Sequence, residues 1–314
     1  MREVADGNLD VKDRVSVKFD PMPTPQQALQ TVIARYLEVS RRDGMANTVL
    51  VMPRRAGDVS TPGWNVTWSN AVLRDILNRD GIKMPGTVYR LGDRIIVRQN
   101  IQAQVPTVSD LDGKPTTLDA ARLAKASGID DPQPMMTYQE HDPESAKQVR
   151  LVNGDTGFIL GWRMDSDNPR MGQPRWVELL LDDSRRVWLP GEEIGILDHA
   201  YALTVHAVQG SEYSNVLFCA TDGGENFMNA NMLLTALSRA KSHLHVWGDE
   251  KVLKRVAATR LPDRNSDVPQ KVAAYNSAQK PDDENDDKSG GQSDEQAEDQ
   301  SRDTERYSIG AYSD

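Results

Sequence analysis

Three stretches of this chain carry residues able to do chemistry on a charged ligand. The first is Tyr201–Glu212, Y-A-L-T-V-H-A-V-Q-G-S-E, where Thr204, His206, Gln209, Ser211 and Glu212 follow one another closely. The second is Leu233–Asp249, with Arg239 and Lys241 set off an apolar face formed by Leu233, Leu237 and Ala240. The third is Pro53-Arg54-Arg55, directly after the apolar run Thr48–Met52. Strands that end in basic residues, and helix N-termini with unpaired amides, are both suited to phosphate. In open α/β sheets, ligands bind at the edge where strand gives way to helix. Each of these residues also has a purely structural reading. Thr204 serves equally as an N-cap, Arg239 as a helix-surface cation, and Glu212 and Arg54-Arg55 as solvated turn residues.

The elements that position these residues follow from local pattern. Tyr201–Leu203 reads as a buried strand end, Thr204 as the cap of a short helix and Gly210 as its stop. Asn215–Ala220 and Leu244–Trp247 read as apolar strands, and Val252–Ala258 as a closing helix. Upstream, Val15–Phe19 alternates as an edge strand. Thr24-Pro25 opens a helix that places Ala28, Leu29, Val32, Ile33, Tyr36 and Leu37 on one face and ends near Gly44. Val66–Asp80 is a second amphipathic helix, with Trp68, Val72, Ile76 and Leu77 inward. From Tyr89 the period shortens: Leu91–Asn100, Val152–Leu160 with its Asn-Gly hairpin signal, Trp176–Leu181 and Arg185–Leu189 read as short strands, which suggests a small β-barrel. Residues 102–150 are rich in Pro, Asp and Gln, with one helical segment at Leu118–Ser127, and read as a surface insertion, partly disordered.

The motifs T-V-H-A-V-Q-G-S-E (204–212) and L-L-T-A-L-S-R-A-K (233–241) resemble motifs V and VI of superfamily 1 helicases of the RecD-like and conjugative TraI-like type, in that family's order. Pro53-Arg54-Arg55 is similar to motif IV, and the G-D-R-I and N-G-D-x-G elements resemble the small SH3-like barrel of RecD-like helicases. The resemblance implies an α/β fold. It is a RecA-like (P-loop NTPase-type) second motor domain with an inserted small SH3-like β-barrel, followed by a disordered acidic C-terminal tail. Its parts would be 1–88 and 194–261 for the RecA-like domain, 89–193 for the barrel and 262–314 for the tail.

The resemblance also implies roles. Arg239 would be an arginine finger. Arg54 or Arg55, with Gln209, Gly210, Glu212 and Arg239, would bind ATP, Glu212 at the ribose hydroxyl. Thr204, His206 and Ser211 would contact single-stranded DNA. ATP with Mg²⁺ would bind only once a first RecA-like domain completes the cleft, because no G-x-x-x-x-G-K-[ST] loop occurs in the sequence; Asp112-Gly113-Lys114-Pro115 lacks both flanks of that pattern. Val177–Asp183 mimics a Walker B strand but is interrupted by Glu178 and reads as a hairpin arm.

Composition sets outer bounds. The net charge of −10 is concentrated at the end of the chain. Asp263–Asp314 holds 14 acidic and 6 basic residues, which leaves 33 and 31 in the preceding 262. The body is therefore almost neutral and compatible with a local basic groove. A single cysteine, Cys219, permits no disulfide within the chain and fits a reducing, cytoplasmic setting. No apolar run reaches the ~18 residues of a membrane span, and no metal-ligand cluster is evident; His243 and His245 share a strand face and read as structural. The expected protein is the C-terminal motor domain of an ATP-dependent 5′→3′ DNA helicase. Its partners would be single-stranded DNA and a Walker A-bearing domain, on another chain or on a missing N-terminal part. The alternatives are a catalytically inactive DNA- or protein-binding module derived from such a helicase, and an unrelated α/β domain.

Overall fold

A computed structural model describes residues 15–21, 23, 27, 29–56, 65–103, 105–111, 115–137, 148–164, 172–220 and 228–259. Thirteen strands follow in chain order among them: β1 Ser16–Asp20, β2 Thr48–Met52, β3 Arg94–Val97, β4 Ile101–Ala103, β5 Thr116–Thr117, β6 Val149–Leu151, β7 Thr156–Met164, β8 Pro174–Leu181, β9 Arg186–Pro190, β10 Leu197–His199, β11 Ala202–Thr204, β12 Tyr213–Cys219 and β13 Ala240–Trp247.

Five of them form a parallel sheet in the order β1-β13-β12-β2-β11. β2 is apolar at nearly every position and buried throughout, as a strand covered on both faces must be. Its alternate residues feed two cores. Val49 and Val51 join Val216, Phe218, Leu244 and Val246 beneath the helices Ala230–Leu237 and Glu250–Ala258, which contribute Leu233, Leu237 and Leu253. Leu50 and Met52 join Leu217, Cys219 and Trp247 beneath the helices Ala34–Asp43 and Val66–Leu77, which contribute Tyr36 and Leu73. The result is a helix–sheet–helix sandwich. Among the described residues β1 pairs only with β13, the edge position its exposed alternation predicts.

The helix starts follow from short polar side chains. Asn65, Asn229 and Asp249 accept from the amides of Trp68 (2.9 Å), Met232 (2.9 Å) and Lys251 (2.8 Å). The helix at Val66 stops at Leu77, short of Asp80, and its buried face is Val66, Ser69 and Leu73. Trp68, Val72 and Leu77 are half-buried and Ile76 is 46 % exposed. The apolar side chains therefore misreport the inward face by about one residue, because the small Ser69 is what fits against Met52. The upstream helix begins with a wide π-helical turn, Leu29–Ile33, and becomes α-helical at Ala34; the cap expected at Thr24-Pro25 lies outside the described residues.

The strands from β3 to β10 build a second, antiparallel sheet in the order β10-β3-β7-β8-β9, with β5 added on β7 and β4–β6 as a separate ribbon. Its path runs from β10 to β9, with no ladder among the described strands joining those two ends into a barrel. β10 carries this sheet past residue 193. The hairpin β8–β9 is as expected, turning on Asp182-Asp183-Ser184 with Ser184 at φ 71°. Glu178 lies in its arm, bound by Arg186 at 2.5 Å. The Asn153-Gly154 turn does not close a hairpin. β6 pairs with β4, whereas β7 pairs with β3, β5 and β8, so this turn hands the chain from the ribbon to the sheet.

The 102–150 segment is not merely a surface insertion. Thr116-Thr117 pairs with Gly161 and Trp162, and the helix Ala120–Ser127 buries Ala124 and Ser127. That helix returns to the parallel sheet, where the Ala46 amide donates to the Ser127 carbonyl at 2.9 Å. Gly44 permits the approach: a Cβ there would lie 2.3 Å from the Ser127 oxygen. The acidic tail expected at 262–314, and residues 138–147 of the insertion, lie outside the described residues.

Candidate functional site

Because all five central strands run the same way, their N-terminal ends share one edge of the sheet and their C-terminal ends the other. Thr204, at the end of β11, is level with Met52; Asn215, near the start of β12, is level with Thr48. The residues between them cross the full width of the strands. Val205–Gly210 does so as a run of tight turns, not the expected helix. Thr204 nonetheless caps it, its Oγ1 accepting from the Ala207 amide at 3.2 Å. Gly210 ends it at φ 91°, in the left-handed region. The polar residues expected to cluster here are thereby divided between two edges.

At the N-terminal edge sit Ser211, Glu212, Arg239 and Lys241. Arg239 lies between the helix Ala230–Leu237 and β13 and is half-buried. Its Nε donates to the Thr235 carbonyl (3.1 Å), its Nη1 to the Ser211 carbonyl (3.1 Å) and its Nη2 to Ser238 Oγ (2.8 Å). The Arg239 carbonyl accepts from the Tyr213 amide at 2.9 Å. These acceptors are neutral, so the guanidinium is oriented while its charge stays uncompensated by them. Glu212 is exposed, 3.8 Å from Lys241 Nζ. Gln209 and Gly210 are exposed on the turn leading into this edge.

At the C-terminal edge sit Arg54, Arg55, Thr204 and the exposed His206. The amides of Val66 and Thr67 donate to the carbonyls of Arg54 (3.1 Å) and Arg55 (2.9 Å), which fixes this turn against a helix N-terminus. Arg55, Thr67, Asn70, Arg98, Asp198 and Thr204 line a cavity of about 290 Å³ between the two sheets. Asn70 closes its floor, donating to the carbonyls of His199 (3.1 Å) and Ala202 (3.0 Å) and accepting from the Ala202 amide (2.8 Å).

Arg54 and Arg55 therefore do not stand beside Arg239 and Glu212, as a single ATP-binding set requires. At ~3.3 Å per residue along a strand, the two groups are separated by roughly 20 Å. Ser211 likewise parts from Thr204 and His206 and joins the Arg239 edge. Arg98 and Asp198 were not expected at all. They come from β3's end and from β10, and Asp198 is 143 residues from Arg55; strand pairing and the packing of the two sheets bring them together, and no spacing in the sequence does.

Behind this cavity is a buried polar joint. Asp93 is fully buried and is met by Arg74 (3.1 Å), Asn78 (2.7 Å), His199 (3.2 Å), the Tyr201 hydroxyl (3.2 Å) and the Arg90 amide (2.8 Å). Burial pushes the Asp93 carboxyl upward; hydrogen bonds from His199 and Asn78, the Arg74 charge and the Arg90 amide outweigh it and hold the group below its ordinary value. A second buried pair, Arg94 with Asp182, ties β3 to the β8–β9 turn, with Phe158 under the guanidinium at 4.7 Å.

Among the described residues, no group of three His, Cys, Asp or Glu is placed to hold a metal ion. No helix among them is long and apolar enough to cross a membrane. His245 is structural, as read: its Nε2 lies 2.7 Å from Asp20 and its ring stacks on Trp247.

Residues 199–247 match the model of the UvrD-like helicase C-terminal domain. The chain is 32 % identical over 126 residues to the ATP-dependent RecD2 DNA helicase of Deinococcus radiodurans, a match covering 40 % of this chain and 16 % of the relative. It is 40 % identical over 126 residues to an uncharacterized protein of Methanocaldococcus jannaschii, covering 39 % of this chain and 10 % of that one. The matched stretch thus spans less than a fifth of either relative. Among solved structures, the Pif1 helicase from Bacteroides in complex with ADP-AlF3 and ssDNA aligns with a TM-score of 0.34 at 11 % identity, over 73 % of this chain and 46 % of that one.

Proposed function

We propose that this chain, which carries the C-terminal domain of a superfamily 1 helicase of the RecD-like kind, is the second motor domain of an ATP-dependent DNA helicase translocating 5′→3′. The N-terminal edge of the parallel sheet would face nucleotide. There Arg239 would meet the charge that develops on the transferring phosphoryl group, and Glu212 would receive a ribose hydroxyl, with Gln209 and Gly210 shaping the approach. The C-terminal edge, with Thr204, His206 and Arg55, would hold single-stranded DNA. The turn run 205–210 joins the two edges directly, so a shift at one is passed to the other within a few residues.

The observation that carries this reading is the seating of Arg239 on the Ser211 and Thr235 carbonyls, which aims a cation without neutralising it. In phosphoryl transfer an arginine of this kind is worth on the order of 10³–10⁵ in rate. The phosphate-binding loop would come from a separate RecA-like domain. Mg²⁺, which neutralises phosphate charge when bound, would be held with that domain too.

The test is reconstitution. The full chain is combined, in trans or by fusion, with a Walker A-bearing RecA-like domain, and ATP hydrolysis is measured with and without oligo-dT. DNA-stimulated hydrolysis should appear, and Arg239→Ala should abolish it while leaving oligo-dT binding intact. Hydrolysis indifferent to Arg239→Ala, or a chain that fails to bind oligo-dT at low salt, overturns the proposal.

A further inference from the structure

One carboxylate oxygen at the mouth of the cavity between the sheets is shared by two arginines. Asp198 Oδ2 lies 2.8 Å from Arg55 Nη2 and 3.5 Å from Arg98 Nε. Arg55 follows the end of β2, in the parallel sheet. Arg98 follows the end of β3, in the antiparallel sheet, and its amide is fixed to the Ile196 carbonyl at 2.8 Å. Asp198 stands on β10, opposite Ile96 of β3. The two guanidinium groups thus converge from different sheets on one negatively charged oxygen.

The arrangement contributes little to holding the fold. The side chains are 61 % (Arg55), 35 % (Arg98) and 37 % (Asp198) exposed, and solvated ion pairs of this kind are weak. Two arginines against one carboxylate also leave one positive charge over. An oxyanion brought in from outside meets the same donors, with the Thr67 and Thr204 side chains lining the same cavity. Guanidinium contacts to phosphate, like those to carboxylate, are charge-assisted and frequently bidentate, but Asp198 meets Arg98 only at 3.5 Å, so a phosphodiester engaging both forks has contacts to gain.

We propose that Arg55 and Arg98 form a phosphodiester-binding pair for single-stranded DNA at the seam between the two sheets, and that Asp198 occupies its anion position until DNA displaces it. The proposal rests on the reading that the C-terminal edge of the parallel sheet is the DNA side. Asp198 then sets affinity: it makes loose binding at this seam reversible and keeps the exposed arginine pair from collecting unrelated anions. On displacement, the phosphodiester takes over the link between the two sheets.

The experiment is a fluorescence-anisotropy titration of the full chain with labelled oligo-dT and, separately, with a fluorescent ADP, at several salt concentrations. Asp198→Asn, which keeps the shape and removes the charge, should bind oligo-dT about three- to tenfold more tightly at low salt. Its affinity should also fall more steeply with salt, because both arginines then release counterions. Arg55→Ala and Arg98→Ala should each weaken binding and lower the salt slope by about 0.7. In the Arg55→Ala/Arg98→Ala background, Asp198→Asn should have no effect. Asp198→Ser serves as a second charge-removing variant, and thermal melting checks that each variant is folded. The proposal is overturned if the charge-removing variants bind oligo-dT no more tightly than the parent. It is also overturned if they alter ADP binding instead, or if Thr204→Ala weakens DNA binding while the arginine variants do not; in that last case the C-terminal edge remains the DNA side. A parent chain that binds no oligo-dT at low salt defeats the broader reading together with this one.

Discussion

Arg239 Nη1 donates to the Ser211 carbonyl at 3.1 Å, a contact that joins two segments 28 residues apart in sequence at the same edge of the sheet. The bond makes the turn run after β11 and the cation before β13 a single unit. Arg239→Lys retains the charge but cannot reproduce the three-way seating on Ser211, Thr235 and Ser238, since an ammonium is a point charge and not a planar fork. Lys at this position should lose nearly as much reconstituted ATPase as Ala, on the order of 10³-fold. Thermal stability should fall by about 1–2 kcal/mol in either case, from the half-buried hydrogen bonds lost. Steady-state hydrolysis and calorimetry read the two effects separately.

Asp93 provides a test of the joint between the sheets. Its carboxyl sits below its ordinary value in the folded chain, so the ionised form is what folding favours. The sign follows: its contribution is fully present above the unfolded-state value, near 4, and is lost as pH falls through the lower folded value. Asp93→Asn should therefore lower stability at neutral pH and flatten the loss of stability below about pH 4. Asp93→Ala, which leaves Arg74 and His199 facing a void, should cost about 3–5 kcal/mol at neutral pH. Urea unfolding at a series of pH values checks both.

The Arg94–Asp182 pair should respond asymmetrically. Arg94 is 2 % exposed and Asp182 22 %, so removal of the acid strands a buried guanidinium. Asp182→Ala should destabilise by about 3–5 kcal/mol, and the double variant Arg94→Met/Asp182→Leu should recover most of that loss. Denaturant midpoints of the two variants suffice; a double variant as unstable as the single one counts against the account.

Gly210 isolates backbone strain from packing. Its φ is 91° and a Cβ there would touch nothing within 4 Å. Gly210→Ala should cost about 1–2 kcal/mol, the penalty of a left-handed L-residue, and Gly210→Asn should cost less. If the two variants are equally destabilising by thermal melting, something other than φ governs this position.

The parallel sheet was readable because its strands are short apolar runs ended by Gly, Pro or a capping residue. β2, β12, the closing helix and the β8–β9 hairpin all follow from such patterns. The resemblance sets two motifs side by side, and the structure does seat Arg239 of the second on the Ser211 carbonyl of the first, 28 residues away. Grouping failed where it depended on which end of a strand a residue occupies. Thr204 and Glu212 are near in sequence and stand at opposite edges, because the intervening turns run back along the sheet. Arg98 and Asp198 were invisible for the converse reason, since only the pairing of β3 with β10 and the packing of two sheets brings them to Arg55. The Asn-Gly signal marked a turn, but β6 and β7 on either side of it run in the same direction opposite β4 and β3, so it closes no hairpin.

The pairing of β3 with β10 has a further consequence. Arg94 enters the antiparallel sheet and Ala200 leaves it side by side, the Ala200 amide donating to the Arg94 carbonyl at 3.0 Å. Everything between them is a loop whose two mouths already touch. Lengthening or shortening such a loop changes its closure entropy only logarithmically. Chain length can therefore vary there at small entropic cost, so long as the helix Ala120–Ser127 keeps its contact with the parallel sheet at Ala46.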